Sequence, residues 1–421
     1  MGSFSNQVII NNEIKGVKTY VMPTRAKDVI TISGSMLGGS IHCADKNSKL
    51  AALVATMLDK GTVKKDKYEI SETLESVGAE LNFSSTRYHT HFTGFCLNND
   101  LDTVVSLLAE QLMTPSFSNN ELSTLKSRIC GNLERDKEDT KKIAMTHFLR
   151  RLFPKHHPNY RDTIDESINL VNKITTKDLF AFHKQRYGRG SIKIAAAGDI
   201  NPEEFNELII GPLGAWEKKE TIIPPIKEKA KDPKESNETI NVPDKTSSDL
   251  YIGQSIGIDS EHKDYYALML GVYILGGNFS ARLMQTVRDK QGLTYGIGSS
   301  ISGVSFGADG YWSIWGTFAP DILKKGIKAT KEQIDLWFKK GVTGDELSAK
   351  KTTINGSYKV SLDSTAGLAG KILSNAEHGR NISYLDKYPK IIENISLSEV
   401  NNAIKKYINP NKLHMVSAGT P

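Results

Sequence analysis

The chain has 421 residues, 38% hydrophobic and 24% charged, with a formal net charge of +6 and a pI near 8.9. That length suits two or three domains with cores of their own, and no apolar run approaches the ~20 residues a membrane helix needs. The basic excess is modest and comes without zinc-finger spacing, a ribonucleoprotein motif or an aromatic-interleaved basic stripe, which excludes nucleic acid as a partner.

The predicted elements repeat in the two halves. Residues 30–37 alternate polar and apolar as a strand and lead to an apolar helix at 50–58. A second helix over 69–77, a strand pair within 80–97 and a third helix at 101–113 follow. In the second half the same order falls at 249–256, 266–275, 281–290, 294–318 and 322–340. Residues 174–200 and 395–421 superimpose without a gap at an offset of 221, with Ile174 on Ile395, Leu179 on Val400, Ala197 on Ala418 and Gly198 on Gly419. Both copies read as an amphipathic helix, a turn and a buried strand ending in Ala-Gly. A repeat this long is a tandem domain, since stacked solenoid units span about 20–50 residues.

Between the copies, 216–245 turns to Lys, Glu, Pro and Asn and reads as a solvated tether. The expected domains are therefore 1–215 and 246–421, joined by a linker at 216–245. The fold class is α+β, each domain a mostly antiparallel sheet with helices packed on one face. Cys43, Cys96 and Cys130, odd in number and widely spaced, read as small apolar residues of a reducing compartment. The opening MGSFSNQVII lacks the basic start and apolar core of a secretion signal. The expected location is the cytoplasm, or the periplasm or an organelle lumen if a targeting segment has been removed.

Three clusters bear on function. His89 and His91 share one face of a strand, one way to begin a metal site, but no acid or histidine follows at a diagnostic spacing, so they read as a polar sheet face. His156 and His157, flanked by prolines, read as a loop. In 280–300, SARLMQTVRDKQGLTYGIGSS, a helix carries Leu283 and Val287 on its apolar side, Gly292 ends it in a left-handed conformation, and Tyr295 opens a strand. Arg288 falls on the last helical turn, where a cation also complements the helix dipole.

The segment 49–62, KLAALVATMLDKGT, then supplies a resemblance. Met57, Leu58, Lys60, Gly61 and Thr62 match the tail of the inverted zinc helix, roughly H-x-x-E-H-M-L-x-K-G-T, of the pitrilysin and insulysin-like metallopeptidases. The metal-binding and base positions fall on Ala52, Ala55 and Thr56, and the family's third ligand projects to about Asn132, with Glu134 nearby. Ala52, Ala55 and Thr56 cannot hold a catalytic zinc, and the one carboxylate of Glu134 cannot make a zinc site.

The resemblance also covers the second half. Arg282, Leu283, Arg288, Gly292, Leu293 and Tyr295 fit the family's R-L-x-x-x-x-R-x-x-x-G-L-x-Y stretch, whereas the first half offers Leu74 and Leu81 opposite Arg288 and Tyr295. The chain thus looks like the non-zinc subunit of the processing-peptidase-like branch, half of a clamshell. The resemblance implies that Arg288 and Tyr295 bind and polarise a scissile carbonyl while a homologous partner supplies zinc, base and water. It implies no cofactor or metal on this chain, an extended peptide or unfolded protein as substrate, and no activity for the chain alone. The alternatives are a structural or peptide-binding subunit, like the respiratory core proteins or the recognition subunit of the processing peptidase, and a homodimeric pseudo-enzyme. The short loop LGGNFS at 275–280 lacks the long glycine-rich stretch typical of that recognition subunit.

Overall fold

A computed structural model describes residues 3–43 and 47–420. The first sheet contains β1 (Ile9–Ile14), β2 (Val17–Pro23), β3 (Val29–Leu37), β4 (Glu80–Ser85), β5 (His89–Leu97) and β6 (Ile192–Gly198) in the order β1-β2-β6-β3-β5-β4. Its neighbours pair antiparallel except for β2 and β6. The second contains β7 (Ser236–Asn241), β8 (Ser248–Ser255), β9 (Gly296–Ser302), β10 (Tyr311–Phe318) and β11 (His414–Gly419) in the order β7-β11-β8-β10-β9. Here only β7 and β11 run parallel. The fold class is α+β with two mostly antiparallel sheets, as the sequence predicts. No helix among the described residues is long and apolar enough to cross a membrane.

The internal repeat is physical as well as textual. The helices Thr176–Arg186 and Leu397–Tyr407 stand at the same offset of 221. Each opens with a capping box, Thr175 with Asp178 and Ser396 with Glu399, in which side chains and backbone amides satisfy one another. Each is followed by a strand ending in a glycine of positive φ, +147° at Gly198 and +155° at Gly419. A Cβ on Gly198 would lie 2.1 Å from the Val29 carbonyl oxygen, and one on Gly419 2.3 Å from Ser248 Oγ. Both glycines let a strand end pass against the start of the central strand beside it.

By Cα proximity the chain forms two compact units. The first comprises Met1–Cys130, Ile168–Pro224 and Ser357–Lys390. Its β3 is buried on both faces from Ile30 to Met36. The helix Thr365–Glu377 covers one of these faces, setting Leu368, Ala369, Ile372, Leu373 and Ala376 among Tyr20, Met22, Ala195 and Ala197, while Thr31 and Thr365 share a hydrogen bond of 2.8 Å. The second comprises Gly131–Ser167, Pro225–Gly356 and Ile391–Pro421. Its helix Thr140–Leu152 packs Ala144, Phe148, Leu149 and Leu152 against Tyr251, Tyr311, Val416 and Ala418. Each unit therefore includes a segment from the other half of the sequence, so spatial grouping and the sequence halves divide the chain differently.

Two other features differ from expectation. The stretch read as a tether contains β7, whose residues alternate between half-buried and exposed. Such an edge strand, with little to bury, looks like linker in composition. The segment read as an ordinary helix over 281–290 winds as a π-helix from Met284 to Lys290. Cys43 and Cys96 are buried as expected, whereas Cys130 is half-exposed; all three are free thiols.

Candidate functional site

The inverted-motif helix spans Leu50–Met57 and buries Leu50, Ala51, Leu53, Val54, Ala55 and Met57. Ala52 is exposed, and the Thr56 hydroxyl donates to the Ala52 carbonyl at 2.9 Å. Asn132 is exposed on the helix Asn119–Asp136 and accepts from Arg135, while Glu134 pairs with Lys137 at 3.0 Å. Two methyl groups, one satisfied hydroxyl and one amide are not a zinc donor set. The matching tail is instead held by backbone needs. Gly61 adopts φ +132°, and the buried Thr62 hydroxyl accepts from the amides of Lys64 at 3.1 Å and Lys65 at 2.9 Å while donating to Glu110.

The second unit carries the Arg-Tyr element. The helix Tyr265–Gly276 ends where a Cβ on Gly276 would lie 2.5 Å from the amide nitrogen of Ser299, so the chain turns away through Asn278 and Phe279. The π-helix that follows buries Leu283, Met284 and Val287. It closes with the Leu293 amide on the Val287 carbonyl at 3.0 Å and Gly292 at φ +62°, the left-handed end expected from sequence. Wide π turns recur at functional sites because they re-aim side chains on a helix. Thr294, buried, then fixes the approach to β9 by donating to the carbonyls of Gly296 and Thr317.

The result is an exposed cluster. The Arg288 guanidinium carbon lies 5.6 Å from the centre of the Tyr295 ring and 5.7 Å from that of Phe279. Tyr295 is 89% exposed and Phe279 76%. The nearest carboxylate to Arg288, that of Asp289, stands at 3.6 Å, outside hydrogen-bond reach. The cation is held over two rings with its N–H fork uncommitted, an arrangement suited to receiving a carbonyl or carboxylate oxygen. Phe279 carries no chemical signature in sequence; only its exposure in space adds it to the site. The first unit repeats the turn without the polar groups. Gly78 takes φ +61°, Leu74 is half-buried and Leu81 is buried on β4.

The histidines separate in the same way. His157 is buried in a loop and stacks on Phe153 with ring centres 4.3 Å apart, so it serves packing. His89 and His91 share a face of β5 with ring centres 5.6 Å apart. The acidic partner their sequence neighbourhood lacks is Glu377, whose Oε1 lies 2.7 Å from His91 Nε2. Burial pushes His89 down to about 4. For Glu377 burial acts upward, but the His91 hydrogen bond and the two imidazoles hold its carboxyl below the usual range.

Comparison with known proteins accords with this anatomy. The insulinase (peptidase family M16) model matches residues 25–159, and the peptidase M16 inactive domain model matches 173–354. An uncharacterized zinc protease of Mycobacterium tuberculosis is 24% identical over 84% of this chain and 79% of its own length. The non-peptidase homolog YmxG of Helicobacter pylori is 23% identical over 89% of this chain and 85% of its own. A crystal structure of a peptidase M16 inactive domain from Pseudomonas fluorescens superimposes with a TM-score of 0.89 at 26% identity, covering 98% of each chain. A protease from Helicobacter pylori shares the fold with a TM-score of 0.85 at 18% identity, covering 98% of this chain and 99% of its own. With both halves matched by models of one family and the fold shared end to end, the chain belongs to the M16 (insulinase) peptidase family.

Proposed function

We propose that this chain is the zinc-free subunit of a heterodimeric M16 endopeptidase and that Arg288 and Tyr295 bind and polarise the scissile carbonyl of a peptide. The observation that carries this reading is the exposed Phe279-Arg288-Tyr295 cluster, in a chain that has no zinc donor at Ala52, Ala55 or Thr56. Tetrahedral attack on an amide places negative charge on the carbonyl oxygen, and donors set in advance for that charge lower the barrier. A tyrosine hydroxyl and a guanidinium fork are such donors. Tyr295 immediately precedes β9, an edge strand of the second sheet, and an extended peptide can add to an edge by main-chain hydrogen bonds. In this reading zinc, base and water come from a homologous partner that has kept the inverted motif.

The test is a peptidase and zinc assay on this chain alone, on the partner alone and on their mixture. Hydrolysis that appears only in the mixture, depends on the partner's inverted zinc motif and falls in Tyr295→Phe supports the reading. A mixture that stays inactive defeats it. The second reading is a non-catalytic peptide-binding subunit, favoured by the likeness to the Helicobacter pylori non-peptidase homolog. In that case Arg288→Ala weakens peptide binding without any hydrolysis to lose.

A further inference from the structure

A second constellation lies in the first unit. His89 and His91 of β5 and Glu377 at the end of the helix Thr365–Glu377 each direct one donor atom into a common space, with all three atoms within 4.8 Å of one another. We propose that His89, His91 and Glu377 bind one divalent transition cation, zinc by preference, which clamps the helix Thr365–Glu377 to β5.

The chemistry of the donors points to that class of ion. Two imidazole nitrogens and one carboxylate oxygen suit zinc and its neighbours, whereas magnesium and calcium call for all-oxygen shells. Zinc takes such ligands at about 2.0–2.2 Å, so donor atoms in a tetrahedral shell stand about 3.3 Å apart. The His91-Glu377 contact, 2.7 Å as a hydrogen bond, has to open by about 0.6 Å, and the other separations, all within 4.8 Å, have to close by no more than about 1.5 Å.

The surroundings hold the donors in place. His91 pairs across the sheet with Ser35, which in turn pairs with Lys193 of β6. The Lys193 ammonium donates to the carbonyl of Ala376 at 2.7 Å, fixing the helix end beside Glu377, although its charge opposes a cation. The Ser35 hydroxyl is buried beside the Glu377 carboxylate, which it helps to hold low, and can serve as acceptor or donor for a metal-bound water. The pair His91-Glu377 would by itself staple the helix to the sheet. The buried His89 brings a second imidazole nitrogen to the same carboxylate, which completes a set of three donors.

The experiment uses the full chain stripped with chelator and dialysed. Zinc binding is measured by equilibrium dialysis with elemental analysis, and cobalt(II) serves as a visible reporter of coordination. We expect one equivalent of zinc, cobalt d–d bands abolished by zinc, and a thermal midpoint that rises with free zinc as linkage requires. His89→Ala and Glu377→Gln should each weaken binding at least tenfold, since the loss of mere outer-shell partners already costs about 10–100-fold. Circular dichroism of each variant establishes that it is folded, and Glu377→Gln preserves shape if His89→Ala does not fold. Overturning results are a chain that takes up no zinc above buffer level, or one whose zinc affinity and cobalt spectrum are unchanged in Glu377→Gln, which would place adventitious metal elsewhere.

Discussion

Arg282 grips Glu346 with two parallel charge-assisted hydrogen bonds, Nε to Oε1 and Nη2 to Oε2, both at 2.6 Å, and a further bond from Nη2 reaches the Gly341 carbonyl at 2.9 Å. The two arginines of the family stretch are thus separated by role, with Arg282 anchored and Arg288 presented. Arg282→Lys keeps the charge and loses the fork. Because the pair is partly exposed, the expected cost is about 1–2 kcal/mol in urea unfolding. Peptide binding should be unaffected.

At the presented arginine and its tyrosine the expectation reverses. In an active mixture with a zinc-bearing partner, Tyr295→Phe should lower turnover by a factor on the order of a hundred, as for losing one oxyanion donor. Assembly, read by size-exclusion chromatography, should be intact. Unchanged turnover in this variant would remove Tyr295 from the chemistry.

The two strand-end glycines give a paired test of the repeat. Gly198→Ala puts a methyl group against the Val29 carbonyl oxygen in a backbone conformation that L-residues rarely adopt. Its expected cost is more than about 2 kcal/mol, from strain and overpacking together. Gly419→Ala meets Ser248 in the equivalent place and should destabilise in the same sense. Denaturant midpoints of the two variants check both.

A buried histidine sets part of the acid sensitivity. His183 shares a 2.7 Å hydrogen bond with the Leu112 carbonyl and lies among the rings of Phe117, Tyr187 and Trp216. Burial lowers its pKa below 6.5, against the pull of that carbonyl. Below pH 6.5 the unfolded chain therefore binds a proton that the folded chain refuses, so stability falls as pH drops from 6.5 toward the lowered folded value. His183→Gln should be less stable at pH 7.5 but should flatten that decline. Thermal midpoints measured from pH 7.5 to pH 5 would show an undiminished slope if His183 were not responsible.

Much of the fold could be read because the local chemistry agreed with the global outcome. The helix Leu101–Met113 falls on its predicted bounds, and both capping boxes stand in plain sequence at one offset. That Ala52 and Ala55 offer no zinc donor was legible because zinc needs specific ligand side chains. What sequence withheld was of three kinds. β7, with polar residues and one solvated side, carries too little apolar period to separate it from a tether. The π winding of 284–290 changes hydrogen bonding without changing the apolar pattern of Leu283, Met284 and Val287. Glu377 meets His91 across 286 positions of chain, a separation at which no motif spacing operates. Phe279 was equally silent, since exposure of an aromatic ring is a property of the turn that presents it.

The reciprocal exchange of segments has a consequence for biosynthesis. A ribosome makes the first half with all six strands of its sheet, yet the helix Thr365–Glu377 that covers Tyr20, Ala195 and Ala197 is still uncoded peptide. Until translation passes residue 377, that patch of nascent sheet is apolar and uncovered, open to holdase chaperones or to another chain. Release from the ribosome, and not completion of either half, is the event that closes both cores. A gene cut between the two repeats would yield fragments each missing part of its own interior.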